Sequence, residues 1–305
     1  MHNTSNVLMI RPVYFTYNTQ TAADNKFQIP GNAEAAQAKA LEEFDAFVKK
    51  LNENEINVTV IDDTPEPHTP DSIFPNNWIS FHDEGTIVLY PMYAENRRAE
   101  RKQHVLDEIN KKFIASDKID LTGYESENVF LEGTGSMVLD RENKIAYACL
   151  SARTNIKVLD DFCKRMNYTS CTFAATDEDG DEIYHTNVMM CVADQYTVIC
   201  LDSINNDKER NHVIDTIKNT GKEIIDISME QMNRFAGNML QLQNKRGEKI
   251  LVMSEQAFAS LTYEQISKLE KYNRIIYSDL DSIETNGGGS ARCMIAEIFL
   301  SSVNQ

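Results

Sequence analysis

At 305 residues the chain has the length of about two ordinary domains, taking ~150 residues for each. Hydrophobic residues make up 42% and charged residues 25%, a globular balance that excludes a disordered or fibrous chain. With 47 acidic against 30 basic residues the net charge is −17, which repels polyphosphate and sets nucleic acid and anionic membranes aside as partners.

The chain opens with a strand-like run over residues 7–11, and its apolar stretch Val7-Leu8-Met9-Ile10 is too short for a signal-peptide core. No run approaches the ~20 apolar residues of a membrane-spanning helix. Six scattered cysteines without a CxxC pair read as reduced thiols, neither a disulfide framework nor a zinc site, and point to the cytoplasm. Residues 33–51 follow with helical periodicity.

From there a unit of roughly 50–60 residues recurs, a period that marks an array. Its five openings are Asn77-Trp78-Ile79-Ser80, Gly135-Ser136-Met137-Val138, Thr186-Asn187-Val188-Met189, Gly237-Asn238-Met239-Leu240 and Ala291-Arg292-Cys293-Met294. Each opening predicts a β-rich segment. Second strands are expected over 86–90, 145–150, 196–201 and 249–253, where apolar runs end near Pro, Ser or Asp. Helices are expected over 97–113, 156–166, 207–219 and 263–272, each before a further short strand. The last unit breaks off, and the N-terminal strand and helix can complete it and close a ring. The prediction is an α/β chain folded as a five-bladed pseudo-symmetric propeller of ββαβ units, one domain over residues 1–305.

Chemistry-bearing residues sit at the breaks in this pattern. Cys293 follows Asn286-Gly287-Gly288-Gly289-Ser290-Ala291-Arg292 and precedes an apolar run that reads as a strand. Glycines permit close backbone approach, and Arg292 beside the thiol would favour a thiolate. A P-loop is excluded because neither Lys-Ser/Thr nor a helix follows. His185, at an expected strand start after the acidic residues 177–182, suits a general acid/base. Glu132, between the apolar Phe130-Leu131 and a glycine turn, can orient a histidine or hold a nitrogen-rich group. Pro70-Asp71-Ser72-Ile73-Phe74-Pro75-Asn76-Asn77-Trp78 gathers amides and a carboxylate in a proline-bracketed segment. Ala94-Glu95-Asn96-Arg97-Arg98 and Ser151-Ala152-Arg153-Thr154-Asn155 place arginines between strand and helix, to cap structure or to bind a carboxylate bidentately. No His/Cys/carboxylate set has metal-ligand spacing, so no metal is expected.

Together these segments resemble the pentein superfamily of guanidine-modifying enzymes: arginine deiminases, dimethylarginine dimethylaminohydrolases and amidinotransferases, all five-bladed α/β propellers. The likeness spans essentially the whole chain and is greatest to the citrulline-utilisation hydrolases. It implies that Cys293 is the nucleophile, His185 the general acid/base and Glu132 the acid that contacts the histidine or substrate. It also implies a substrate pocket of Asp71, Phe74, Asn77, Arg153, Asn187 and either Arg97 or Arg98, with no cofactor. Where relatives carry Glu-Asp, this chain has Asn76-Asn77; where they carry His-x-Asp, it has Asn187. An amide offers donors and an acceptor without charge, which suits the neutral ureido group of citrulline better than a guanidinium. The expected activity is therefore hydrolysis of citrulline to ornithine, ammonia and carbon dioxide. Its rivals are a guanidine-directed deiminase, dimethylaminohydrolase or amidinotransferase and, more remotely, a non-catalytic binding protein of the same fold. The expected partner is a small amino acid, and an acidic enzyme of this size is commonly a homodimer.

Overall fold

The computed structural model describes residues 3–22, 25–29 and 33–303. Five three-stranded sheets follow one plan, an antiparallel pair extended by a parallel third strand. The first consists of Ile79–Phe81, Thr86–Leu89 and Asp117–Asp120. Val138–Asp140, Ile145–Cys149 and Thr169–Phe173 form the second. Met190–Val192, Tyr196–Ile199 and Glu223–Asp226 form the third, and Leu240–Gln243, Lys249–Ser254 and Arg274–Ser278 the fourth. In the fifth the two ends of the chain meet: Ala296–Glu297 pairs antiparallel with Asn6–Arg11, which pairs parallel with Asn57–Asp62.

A parallel third strand needs a crossover, and helices supply it. Ile156–Met166 shows why its sequence does so. The Asn155 side chain caps the first turn by accepting from the Lys157 amide, and Val158, Leu159, Phe162, Cys163 and Met166 bury one face. Asp207–Asn219 starts in the same way on Asn206 and buries Val213 and Ile217. Ala33–Glu53 crosses over in the fifth sheet, so the N-terminus does complete the last unit. First strands of neighbouring sheets pack side by side, Val138–Asp140 and Leu240–Gln243 against Met190–Val192, and Ala296–Glu297 against Ile79–Phe81. They line the pseudo-axis of the five-unit α/β propeller.

Three local expectations are corrected. The openings around Gly135 and over Thr186–Met189 are single helical turns, and their strands begin only at Val138 and Met190. Residues 97–113 do not form one helix: Glu95–Arg98 and Gln103–Lys112 are separated because Arg97, Glu100 and Lys102 turn inward and are buried. The run after Cys293 is buried like a strand, yet only Ala296–Glu297 and Ser301–Ser302 pair, the latter with Phe113–Ile114. Among the described residues no helix is long and apolar enough to cross a membrane.

Candidate active site

The turns that precede the first strands converge at one end of the pseudo-axis. Gly133–Ser136 packs against both Pro75–Asn77 and Thr186–Met189. The turns at Asn238 and Cys293 join them through their side chains. Glycine makes this approach possible. Gly133 has φ +48°, and a Cβ there would lie 2.3 Å from the Asn76 carbonyl oxygen; a Cβ on Gly135 would lie 2.4 Å from Asn77 Nδ2 and 2.8 Å from His185 Nδ1.

Cys293 sits in a turn, its amide donating to the Ser290 carbonyl at 2.9 Å, and its side chain is only 5% exposed. Two amide groups donate to Sγ, Asn187 Nδ2 at 3.4 Å and Asn238 Nδ2 at 3.2 Å. Arg292 does not serve the thiol as expected. Its guanidinium turns back on its own segment, donating to the Ile295 carbonyl at 2.9 Å and Glu297 Oε2 at 3.0 Å.

His185 precedes its helical turn and places Nε2 2.7 Å from Glu132 Oε2. Because an ionised carboxylate only accepts, Nε2 carries the hydrogen and Nδ1, over Gly135, carries the lone pair. Burial alone would push the Glu132 carboxyl up. Arg153, the His185 hydrogen bond and Arg97 outweigh it and hold Glu132 well below the usual carboxylate range. Arg153 Nη1 lies 3.6 Å and Arg97 Nη1 4.0 Å from Oε2, and the other oxygen accepts from the Tyr93 amide at 2.9 Å. For His185, burial outweighs the hydrogen bond and charge of Glu132, so its basicity is lowered.

Asp71 closes another side. Its Oδ2 accepts from Asn18 at 2.7 Å and Thr21 at 3.3 Å and lies 3.7 Å from Arg97. Burial raises the Asp71 carboxyl despite Arg97 and Asn18. Arg97 is gripped by Glu100 through two hydrogen bonds, 2.8 and 3.0 Å, and donates to Asn77 Oδ1 at 2.9 Å. Arg153 donates to the Thr21 carbonyl at 3.1 Å and lies over the Tyr184 ring. Asp71, Phe74, Asn77, Arg97, Arg153, His185 and Cys293 all line one narrow buried cavity, with Asn25, Tyr184 and Gly287 to Gly289. Arg98 is not among them: it donates to the carbonyls of Met92 and Tyr93 and faces Glu125. Adjacent residues on a helical turn point in different directions, and only Arg97 points in.

The segment 25–29 covers the glycine loop. Asn25 donates to the Gly288 carbonyl, Gln28 to that of Gly287, and Tyr184 Oη to Gly288 at 2.7 Å. A larger cavity of about 530 Å³ lies beyond Tyr184, which lines both cavities; Asp71, Asn77, Arg97, Arg153, His185 and Cys293 do not line it, so its size is no guide to the chemistry. The carboxylates of Asp177, Asp179 and Asp181 cluster at its edge, with Lys26 Nζ among them. Asn238, Glu100, Asn18 and Thr21 were not singled out from the sequence. Asn238 carried a signal, because it stands two residues before its strand, as Asn77 does in the first unit.

The protein family described as N,N dimethylarginine dimethylhydrolase, eukaryotic, matches residues 11–300. The chain belongs to this family. It is a pentein, and the family's members are hydrolases acting on C–N bonds. Among curated proteins none matches in sequence. Solved structures of the same fold include ArgZ, an arginine dihydrolase of the cyanobacterial ornithine-ammonia cycle, with a TM-score of 0.75 at 16% identity. That alignment covers 96% of this chain but 40% of ArgZ, so the chain spans less than half of that protein's length. The N-terminal domain of ArgZ, solved as a cysteine-to-serine mutant with substrate bound, gives 0.74 at 19% identity, covering 97% of this chain and 99% of the domain. A dimethylarginine dimethylaminohydrolase holding an S-methyl-L-thiocitrulline adduct gives 0.67 at 15% identity, covering 97% of this chain and all of the other.

Proposed function

We propose that this pentein hydrolyses the ureido group of citrulline, releasing ornithine, ammonia and carbon dioxide. The observation that carries this reading is the orientation of the buried Asn77 amide. Asn77 Oδ1 is held by Arg97, which leaves Nδ2 without a partner; Asn187 Nδ2 is held by Sγ, which leaves Oδ1 without one. Asp71 Oδ1 is likewise unpaired. Asn77 and Asp71 line the cavity beside Cys293, whereas Asn187 is not among its lining residues, so one donor and one acceptor there await a ligand that brings both an acceptor and N–H groups. A ureido group brings a carbonyl oxygen and N–H donors, whereas a guanidinium brings donors only and leaves Asn77 Nδ2 buried and unsatisfied, at about 1–3 kcal/mol.

His185 Nδ1 takes the thiol proton of Cys293, and the thiolate attacks the ureido carbon. The bond to the terminal nitrogen breaks as His185 returns the proton to it, releasing ammonia and leaving a thiocarbamate on Sγ. Water then gives a proton to His185 and its oxygen to the carbon; the C–S bond breaks and the sulfur recovers the proton. The carbamate so formed loses carbon dioxide to give ornithine. Glu132 holds the His185 tautomer throughout. Arg153 is assigned the substrate α-carboxylate, and Arg97, already engaged by Glu100, positions Asn77. The six cysteines are free and buried, which suits a reducing compartment such as the cytoplasm.

A guanidine substrate is the second reading, favoured by the buried Asp71 carboxyl and by the arginine bound to AgrE, another solved structure of this fold. Measuring kcat/KM for citrulline, arginine and N,N-dimethylarginine separates the two. Citrulline is expected to be preferred, and Asn77→Asp, which removes the donor and adds charge, is expected to shift the citrulline-to-arginine ratio towards arginine by about tenfold or more. A wild-type preference for either guanidine, or an unmoved ratio in Asn77→Asp, contradicts the proposal.

A further inference from the structure

We infer that Asn238 is a catalytic residue of this site: with Asn187 it cradles Sγ between two amide donors and stabilises the thiolate through hydrogen bonds to the sulfur itself. This rests on the reading of Cys293 as the nucleophile.

Every polar atom of the Asn238 side chain is committed. Oδ1 accepts from the Arg292 amide at 3.1 Å; Nδ2 donates to the Asn187 carbonyl at 2.9 Å and to Sγ at 3.2 Å. Rotating the amide by half a turn would set an NH₂ against the Arg292 N–H and an oxygen against the Asn187 carbonyl, so the orientation is fixed. Its turn is fixed as well, since a Cβ on Gly237 would lie 2.3 Å from the Val188 carbonyl oxygen. Asn238 therefore stands in constant register with the Asn187 turn, and the two donors reach Sγ from neighbouring units.

Neither a helix N-terminus at Cys293 nor a hydrogen bond from a guanidinium to Sγ appears among the described residues. Arg292 is turned to Glu297, and Cys293 lies in a turn rather than at the start of a helix. The titratable groups around it are His185 with Glu132, Asp71, Arg97, Arg153 and Tyr184 across the cavity, and Arg292 with Glu297 on its own segment. The arginines are matched by carboxylates: Arg97 by Glu100, Arg153 by Glu132. Hydrogen bonds from the two amides favour the charged form directly at the sulfur. The same donors serve the sulfur again when it departs from the thiocarbamate.

Asn238→Asp, Asn238→Ser and Asn238→Ala test this. The readout is the rate of Cys293 alkylation by iodoacetamide against pH, followed on the Cys293 peptide by mass spectrometry, together with kcat and KM for citrulline. Asp keeps the acceptor for Arg292 but replaces the donor with a negative charge. Its alkylation midpoint is expected to move up by about one pH unit or more, with kcat near neutrality down about tenfold or more and partly restored at higher pH. Ser, still able to donate, should shift less than Ala, and Ala less than Asp, with KM nearly constant. A common midpoint in wild type and in the folded variants overturns the inference, as does a loss of kcat that higher pH does not restore. If wild type turns over no citrulline, the functional reading fails, whereas the alkylation series still reports on the cradle.

Discussion

Cys293→Ala is expected to lower ornithine release from citrulline by roughly 10⁴-fold or more, because no other group can form the covalent intermediate. The protein itself should survive the change. Cys293 is small and stands in a turn held by backbone hydrogen bonds to Ser290. Asn238 keeps its bonds to the Arg292 amide and the Asn187 carbonyl when the sulfur is removed. A shift in stability of about 1–2 kcal/mol is therefore the ceiling. Product assays beside a thermal melt separate the two effects. Activity within tenfold of wild type would exclude Cys293 as the nucleophile.

Glu132→Gln should damage both activity and stability. The carboxylate is fully buried and faces three nitrogen-bearing side chains, His185 at 2.7 Å, Arg153 at 3.6 Å and Arg97 at 4.0 Å. An amide of the same shape removes the charge that compensates them. Breaking a buried pair on one side costs about 3–5 kcal/mol, with activity expected to fall about 10²- to 10⁴-fold as His185 loses its orienting partner. The sign with pH follows from the depressed carboxyl. The stability it contributes is fully present above the ordinary carboxylate value of 4.5 and is lost as pH falls from there towards the folded-state value. Wild type should thus exceed the variant by a constant margin at neutral pH, and the margin should narrow only below about pH 4.5. Denaturant unfolding at several pH values reads this directly. A margin that stays constant into strong acid would show that Glu132 is not held ionised by its neighbours.

Much of the propeller was legible because burial follows period. The helices Ile156–Met166 and Asp207–Asn219 begin and end where their apolar stripes and Asn caps say. The closing of the fifth sheet by the N-terminal strand follows from the truncated last unit. What was not legible shares a physical cause. A single helical turn packed at the axis buries all its residues, so Thr186–Met189 has the apolar signature of a strand. Arg97 and Arg98 are adjacent and alike; only the fold decides that one meets Glu100 and the other the surface near Glu125. Arg292 was read as an ally of the thiol because it is next in sequence, but its long side chain reaches Glu297 instead. Asn238 is 55 positions from Cys293, and although its place before its strand matches that of Asn77, its contact with the sulfur follows only from the meeting of the turns of two units.

The most direct test of the account is to quench wild-type protein in acid during citrulline turnover and to weigh the intact chain and its peptides. A thiolate attacking the ureido carbon predicts an adduct of citrulline less ammonia, confined to the peptide that holds Cys293 and absent from Cys293→Ala. Sustained ornithine release without that adduct under rapid quenching, or the same adduct on another residue, would contradict it.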